Sequence, residues 1–359
     1  MQNRIERVIE NMKKMGLSQL MVADPMSIRY LTGIYVEPYE RLFAFLIRTD
    51  GQHVFFLNHL FTVPKTPYQE VWFSDTDDSI GLMAAHVGSG RLGIDKTWAA
   101  RFLIPLVERT GVTPVLASAA VDDCRAIKDT EEQRLMKEAS RINDVVIEKA
   151  FHFIKAGMSE KQAAEFIDRS YIEEGAQGTS FTTIVSFGAN AADPHHEPDE
   201  TILQDGECVL LDMGCVYKGY CSDMTRTFIC GVAADPEFGK VHELVRQANE
   251  KAENLIRPGV KLSAIDAEAR KFLAAAGYEK EFNHRLGHFI GQTDHEQGDV
   301  SSVNENTAEP GMIFSIEPGI YLEERFGVRI EDLVLVTRDG CEILNHVDKQ
   351  LHTIPAAKD

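Results

Sequence analysis

The stretch VLLDMGCVYKGYCSDMTRTF, from Val209 to Phe228, carries two acids in surroundings that read as strand. Asp212 closes an apolar run, and Asp223 follows eleven residues later in a second strand-like segment. A buried carboxylate without compensation costs several kcal/mol and takes up a proton unless something holds it charged. The pattern then returns. DGECVLLDMG runs from Gly206 through Asp212 to Gly214, and EPGMIFSIEPG runs from Gly311 through Glu317 to Gly319, with the acid six residues after the first glycine in each. A Tyr-containing hairpin follows each copy and leads to a second acid, Asp223 in the first and Glu331 in the second. Paired about an approximate two-fold axis, the copies bring four carboxylates to one place. Four anions in a small buried volume require cations, so the pattern implies more than one metal ion. Oxygen-rich ligation with one or two imidazoles suits Mn, Co, Fe or Zn, and a bridging carboxylate sets two ions about 3.5–4 Å apart.

Imidazoles are at hand. NHRLGHFIGQTDHEQGD holds His284, His288 and His295, where Gly287 and Gly291 favour a turn or strand over a helix. NAADPHHEPDE offers His195 and His196 in a loop between Pro194 and Pro198, where a side chain can be presented to a cleft. A single histidine in either place would read as structural. Three within twelve residues, just before the second acidic hairpin, read as part of a site. In YVEPYERLFAF, the residues Glu37, Tyr39, Glu40 and Arg41 form a charged loop whose simplest reading is solvation.

The elements that must carry these residues fall into two groups. At 359 residues the chain has room for two domains, and 44% hydrophobic with 26% charged residues describes a globular protein. Residues 1–125 alternate helix-like and strand-like segments: an opening amphipathic helix with Ile5, Val8, Ile9 and Met12 on one face, then LSQLMVAD, PMSIRYLTG, RLFAFLIRTDG, HVFFLNHL and RLGID. That alternation predicts an α/β domain. Near Asp122 the texture changes to DDCRAIKDTEEQRLMKEASRINDVVIEKAFHFI, a long charged amphipathic helix opened by a capping pattern, Asp129 or Thr130 before Glu131 to Gln133. Residues 126–359 then read as helices followed by strand pairs, an α+β arrangement.

Composition narrows the partners. A net charge of −19 argues against nucleic acid and anionic membranes, and no apolar run approaches a membrane span. Six cysteines without a C-x-x-C pair read as reduced core thiols in a cytoplasmic protein.

LDMGCVYKGYCSDMTRTF, HRLGHFIG, FSIEPGIY and GVRIED together resemble the metal-binding signature of the Xaa-Pro peptidases, prolidase and aminopeptidase P, of the creatinase or pita-bread fold. The resemblance extends over the whole chain, with RAIKDTEEQRLMKEA resembling the family's usual join between a creatinase-type N-terminal α/β domain and a pita-bread catalytic domain of pseudo-two-fold symmetry. It implies that Asp212 binds one metal, Asp223 and Glu331 bridge two, and His288 and Glu317 hold the second. It further implies a catalytic pair, His195 (with His196 the lesser candidate) and His295, and substrate-side roles for His284 and Arg329. The implied cofactors are two divalent ions, Mn2+ first, with Co2+, Zn2+ or Fe2+ as alternatives. The implied partners are small peptides with proline in second position, and a second copy of the chain whose N-terminal domain borders the cleft. Phe289 and the QTDHE stretch with Asp294 depart from the family pattern, and the expectation is that they narrow the pocket or alter its charge.

On that resemblance a bridging hydroxide attacks the Xaa-Pro carbonyl while Glu317 takes and returns the proton. His195 and His295 donate hydrogen bonds to the developing negative charge. Prolidase and aminopeptidase P both remain open. A metal-free hydrolase of the creatinase kind and a non-catalytic binding protein fit less well, because all five ligand positions and His195 are present. The extra first domain weakens a methionine aminopeptidase reading.

Overall fold

The computed structural model of the chain describes residues 2–356. It divides into two compact units, Met1–Arg125 and Ala126–Asp359. No helix among the described residues is long and apolar enough to cross a membrane. All six cysteines are free thiols.

The first unit is built on six strands: β1 (Gln19–Val22), β2 (Ala44–Arg48), β3 (Val54–Asn58), β4 (Gln69–Phe73), β5 (Arg91–Ile94) and β6 (Thr113–Leu116). Their order in the sheet is β4-β3-β2-β1-β5-β6. AFLIR and VFFLN are continuous apolar runs because both faces of this sheet are covered: Phe45, Ile47, Phe55 and Leu57 pack on one side, Ala44, Leu46, Val54 and Phe56 on the other. Helix α1 (Gln2–Lys14) buries Ile5, Val8 and Met12, the face read from its spacing. In α2 (Pro25–Thr32), the Asp24 side chain caps Ser27 N and Gly33 ends the helix in the left-handed region. The unit is completed by α3 (Ser79–Ala84), α4 (Ala100–Thr110) and α5 (Ala119–Ala126). None of the segments named from the sequence covers β4, α3, α4 or β6, whose residues are mostly exposed or only partly buried.

The long charged helix opens at the capping pattern read from the sequence, and the residues of the stretch before it belong to the end of a separate helix. Helix α5 stops at Ala126, Ile127 makes a bridge with Met312, and Lys128 N donates to Gly311 O. Helix α6 (Thr130–Phe153) then begins with Asp129 as its N-cap, in a capping box with Glu132. That cap satisfies orphan amides at a new helix start and so fixes the break.

The second unit has the same plan twice. Helix α6 and α7 (Glu160–Glu173) pack on β7 (Ile184–Phe187) and β8 (Cys208–Met213); after the small hairpin β9 (Val216–Tyr217) and β10 (Tyr220–Cys221), β11 (Met224–Cys230) returns along β8. Helix α8 (Phe238–Leu255) and α9 (Leu262–Ala275) precede β12 (Gly287–Phe289), β13 (Glu296–Val300) and β14 (Ile313–Ile316). The hairpin of β15 (Gly319–Leu322) and β16 (Phe326–Arg329) follows, and β17 (Asp332–Val336) returns along β14. Short strands β18 (Cys341–Ile343) and β19 (Thr353–Ile354) complete two sheets, ordered β19-β11-β8-β7 and β13-β12-β14-β17-β18.

Candidate metal centre and active site

In each half an apolar strand delivers one acid at its end and the residue before the returning strand delivers another. Asp212 lies at the end of β8 and Asp223 just before β11; Glu317 follows β14 and Glu331 just precedes β17. Gly206 and Gly311, which start the two strands, both sit in the left-handed region, at φ 86° and 96°. A buried asparagine braces each strand end from its long helix: Asn143 Nδ2 donates to Met213 O (2.8 Å), and Asn249 Nδ2 donates to Ile316 O (2.7 Å) and Ile330 O (3.3 Å). The two asparagines stand 106 residues apart, against 105 for Asp212 and Glu317. The repeat therefore reaches back into the helices, a signal that the strand motifs alone do not reveal.

The fifth ligand candidate, His288, is carried by β12. A Cβ on Gly287 would lie 1.9 Å from Ser315 O, so only glycine lets β12 approach β14 this closely. His288 N then donates to Ser315 Oγ, which donates to Glu317 Oε1 (3.1 Å). His288 Nε2 is 3.4 Å from Asp223 Oδ2 and 3.6 Å from Glu317 Oε1. Ligand atoms of Asp223, His288 and Glu331 all lie within 4.8 Å of one another, and all three residues are buried.

Three carboxylate oxygens in this space, Asp212 Oδ1, Asp223 Oδ1 and Glu331 Oε1, are buried without a hydrogen-bond partner. Burial, and then the neighbouring carboxylates, push the Asp223 and Glu331 carboxyls well above their ordinary range. Burial also acts to raise Glu317, but His288, His284 and Arg329 outweigh it and leave Glu317 below its usual value. Orphaned anionic oxygens beside an imidazole are what divalent cations compensate, so this residue set fits metal.

Arg329 is the fixed cation. Its guanidinium donates to Asp212 Oδ2 (2.6 Å), Tyr321 OH (2.9 Å), Thr225 Oγ1 (3.1 Å) and Pro194 O (3.4 Å). Because arginine only donates, the Tyr321 oxygen accepts from it and donates to His284 Nε2 (3.0 Å), while His284 Nδ1 donates to Arg285 O (2.7 Å). That chain holds His284 neutral, in keeping with the burial that lowers its pKa. Arg285 Nη2 donates to His295 Nδ1 (2.9 Å), leaving the proton of a neutral His295 on Nε2. The His295 ring stacks on His288 with centroids 3.8 Å apart. Burial, His288 and Arg285 all lower its pKa.

A cavity of about 730 Å3 is lined by all nine residues singled out from the sequence: His195, Asp212, Asp223, His284, His288, His295, Glu317, Arg329 and Glu331. His195 is exposed at its edge. His196 lines the cavity too, with its Nε2 bonded to Glu160 Oε2 (2.7 Å). Asp294 lines the cavity, as expected. Phe289 does not narrow it. Its ring is buried against Phe314 and over Gly298, where a Cβ would lie 2.7 Å from Phe289 Cδ2, because strand alternation turns it away from the face that carries His288. Sequence reasoning passed over Tyr321, Arg285, Thr225 and Ser315, whose roles depend on contacts across strands.

Two like halves, each a helix pair on an antiparallel strand pair, meeting at a buried acid-rich centre, define a pita-bread catalytic domain preceded by an α/β domain. The chain belongs to metallopeptidase family M24, whose model matches residues 134–338, and the creatinase/prolidase N-terminal domain matches residues 4–127. It is 34% identical over 351 residues to an uncharacterized peptidase of Staphylococcus aureus strain MW2, covering 96% of this chain and 99% of that protein. Among solved structures it is similar to the dipeptidase PepE from Mycobacterium ulcerans (TM-score 0.93, 32% identity, 98% of this chain and 97% of that one). It is also similar to the Xaa-Pro dipeptidase from Bacillus anthracis (TM-score 0.90, 29% identity, 98% and 99%). The resemblance to Xaa-Pro peptidases read from the motifs is borne out, and the protein is a peptidase.

Proposed function

We propose that the protein is an Xaa-Pro dipeptidase, a prolidase, using two divalent ions. The observation that carries this reading is the set of orphaned buried carboxylate oxygens beside His288, facing a cavity edged by His195 and His295. The names of the similar dipeptidases support the substrate class. Asp212, Asp223, His288, Glu317 and Glu331 would hold the ions, Mn2+ foremost. When bound, such a pair supplies a water that ionises near neutral pH and a Lewis acid for the scissile carbonyl.

The chain's own residues do the rest. Glu317, kept anionic by His288, His284 and Arg329, accepts the proton and passes it to the proline nitrogen, which leaves as a secondary amine. The bond to proline has no N–H, so this wall of the site needs no acceptor for one. His295, with its proton on Nε2, and His195 donate to the oxygen on which charge develops, a contribution of about 3 kcal/mol for one well-placed donor. Asp212, fixed by Arg329, anchors the substrate's free α-amine. The enzyme acts as a homodimer in the cytoplasm.

The test is hydrolysis of Ala-Pro, Met-Pro and Ala-Pro-Ala by protein stripped of metal and resupplied with Mn2+, Co2+ or Zn2+, with Glu317→Ala as control. Metal-dependent cleavage of the dipeptides alone establishes a prolidase. Cleavage of the tripeptide makes the enzyme an aminopeptidase P, and failure to cut any Xaa-Pro bond by metal-loaded protein refutes the reading.

A further inference from the structure

We propose that Glu160 is the positioning residue that holds the His195 loop at the cleft, an inference that rests on the role given to His195 above. Glu160 is fully buried at the first turn of α7, whose N-cap is Ser159. Four N–H donors converge on its two oxygens. Oε1 accepts from Phe187 N (2.7 Å) and Asn190 Nδ2 (3.0 Å); Oε2 accepts from His196 Nε2 (2.7 Å) and Asp199 N (3.1 Å). These donors come from the end of β7, from the short 3-10 turn Gly188–Ala192, and from the residues that follow His195. One buried carboxylate thus gathers both ends of the loop.

The main chain extends the clamp. Glu160 N donates to Thr201 O and Lys161 N to Asp199 O, both at 3.1 Å. On its other side the loop is pressed onto β16: a Cβ on Gly327 would lie 1.8 Å from Ala191 O, and Arg329 Nη1 reaches Pro194 O. Between these two anchors His195 is the exposed ring that borders the cavity. Glu160, His196 and Asp199 are close enough to suggest an ion site, but each Glu160 oxygen already accepts two N–H groups, so the cluster works as a hydrogen-bonded brace. A carboxylate is required because it alone offers two acceptor oxygens. A glutamine would turn an N–H2 toward one pair of donors and leave them facing another donor. Both histidines line the cavity, with His196 held by the brace and His195 the more exposed of the two.

The experiment compares wild type, Glu160→Gln, His195→Ala and the double variant, all loaded with Mn2+, on Ala-Pro, with metal stoichiometry from calorimetry and backbone amide exchange of residues 187–199. Glu160→Gln is expected to lower kcat about ten- to hundred-fold with little change in KM, to bind metal as wild type does, and to speed exchange in the loop. The double variant is expected to be no slower than His195→Ala, because Glu160 acts through that ring. Losses that multiply in the double variant, loss of metal, or an unchanged kcat would overturn the proposal. If His195→Ala keeps wild-type kcat while cleavage stays metal-dependent, the role of His195 fails and the inference fails with it. If even wild type cuts no Xaa-Pro bond, the substrate reading is what fails, and unchanged exchange at Phe187 and Asp199 in Glu160→Gln then decides against the brace. Asn190→Ala, which removes one donor and no acid, serves if Glu160→Gln does not fold.

Discussion

Asp223 and Glu331 face each other across a space where neither can ionise easily, and the direction of their shifts makes a measurable statement. Both carboxyls are raised well above their ordinary values by burial first, then by Asp212 and Glu317 at Asp223, and by Asp223, Glu317 and Asp212 at Glu331. A group whose folded pKa exceeds its unfolded one contributes stability that is complete below the unfolded value, about 4 for a carboxyl, and that is lost as pH rises through the folded value. Metal-free protein is therefore expected to lose stability as pH rises above about 4. Metal binding at pH 7 is expected to expel protons, visible as a binding enthalpy that varies with the ionisation enthalpy of the buffer. Asp223→Asn should release fewer protons, and a buffer-independent enthalpy for wild type would refute the account. Arg329 makes a second prediction at this scale. Its fork reaches Asp212, Thr225 and Tyr321 together, and a lysine keeps the charge but not the geometry. Arg329→Lys is expected to weaken metal binding or lower kcat about 10- to 100-fold, read by competitive chelation and steady-state kinetics.

At the scale of elements, the halves are joined to their site residues by close approaches and buried polar groups. Gly287 lets β12 lie against β14, and Gly287→Ala is expected to push His288 away from Glu317, with loss of metal binding and a fall in Tm on thermal denaturation. Retention of both at wild-type levels would show that the strands can give way. Helix α8 carries His242, buried with Nε2 donating to Thr227 O, and burial lowers its pKa to about 4. The folded state thus binds fewer protons than the unfolded chain between about 4 and about 6.5. His242 contributes stability above pH 6.5 that is lost as pH falls through this window, at most roughly 3 kcal/mol. His242→Gln is expected to flatten the acid side of the stability curve, measured by urea unfolding at pH 7 and pH 5. Arg270 on α9 similarly reaches Phe282 O and His284 O, so each half ties an imidazole-bearing loop to its second helix: α7 through Glu160, α9 through Arg270.

For the whole molecule the prediction concerns assembly. A net charge of −19 makes two copies repel, and screening removes that repulsion within about 8 Å at physiological salt. Sedimentation is expected to show twice the chain mass at 150 mM salt and a weaker dimer at low salt. A monomer under both conditions would remove the second copy from the description of the cleft.

The sequence determined the chemistry because the site repeats: two glycine-started strands that each end on an acid, two hairpins that each lead to another, and a histidine-rich stretch between them can be seen in one dimension. It also determined most elements, since strands buried on both faces and capped amphipathic helices leave local patterns in composition. The tertiary structure decided what depends on distant residues meeting. It showed that Phe289 turns away from the cavity, that Tyr321 relays between Arg329 and His284, and that His196 is held by Glu160 while His195 is the more exposed of the two rings at the cavity. Two adjacent histidines are alike in the sequence. That one of them is held by a carboxylate in another helix, 36 residues from His196, is visible only in the folded chain, which brings the two together.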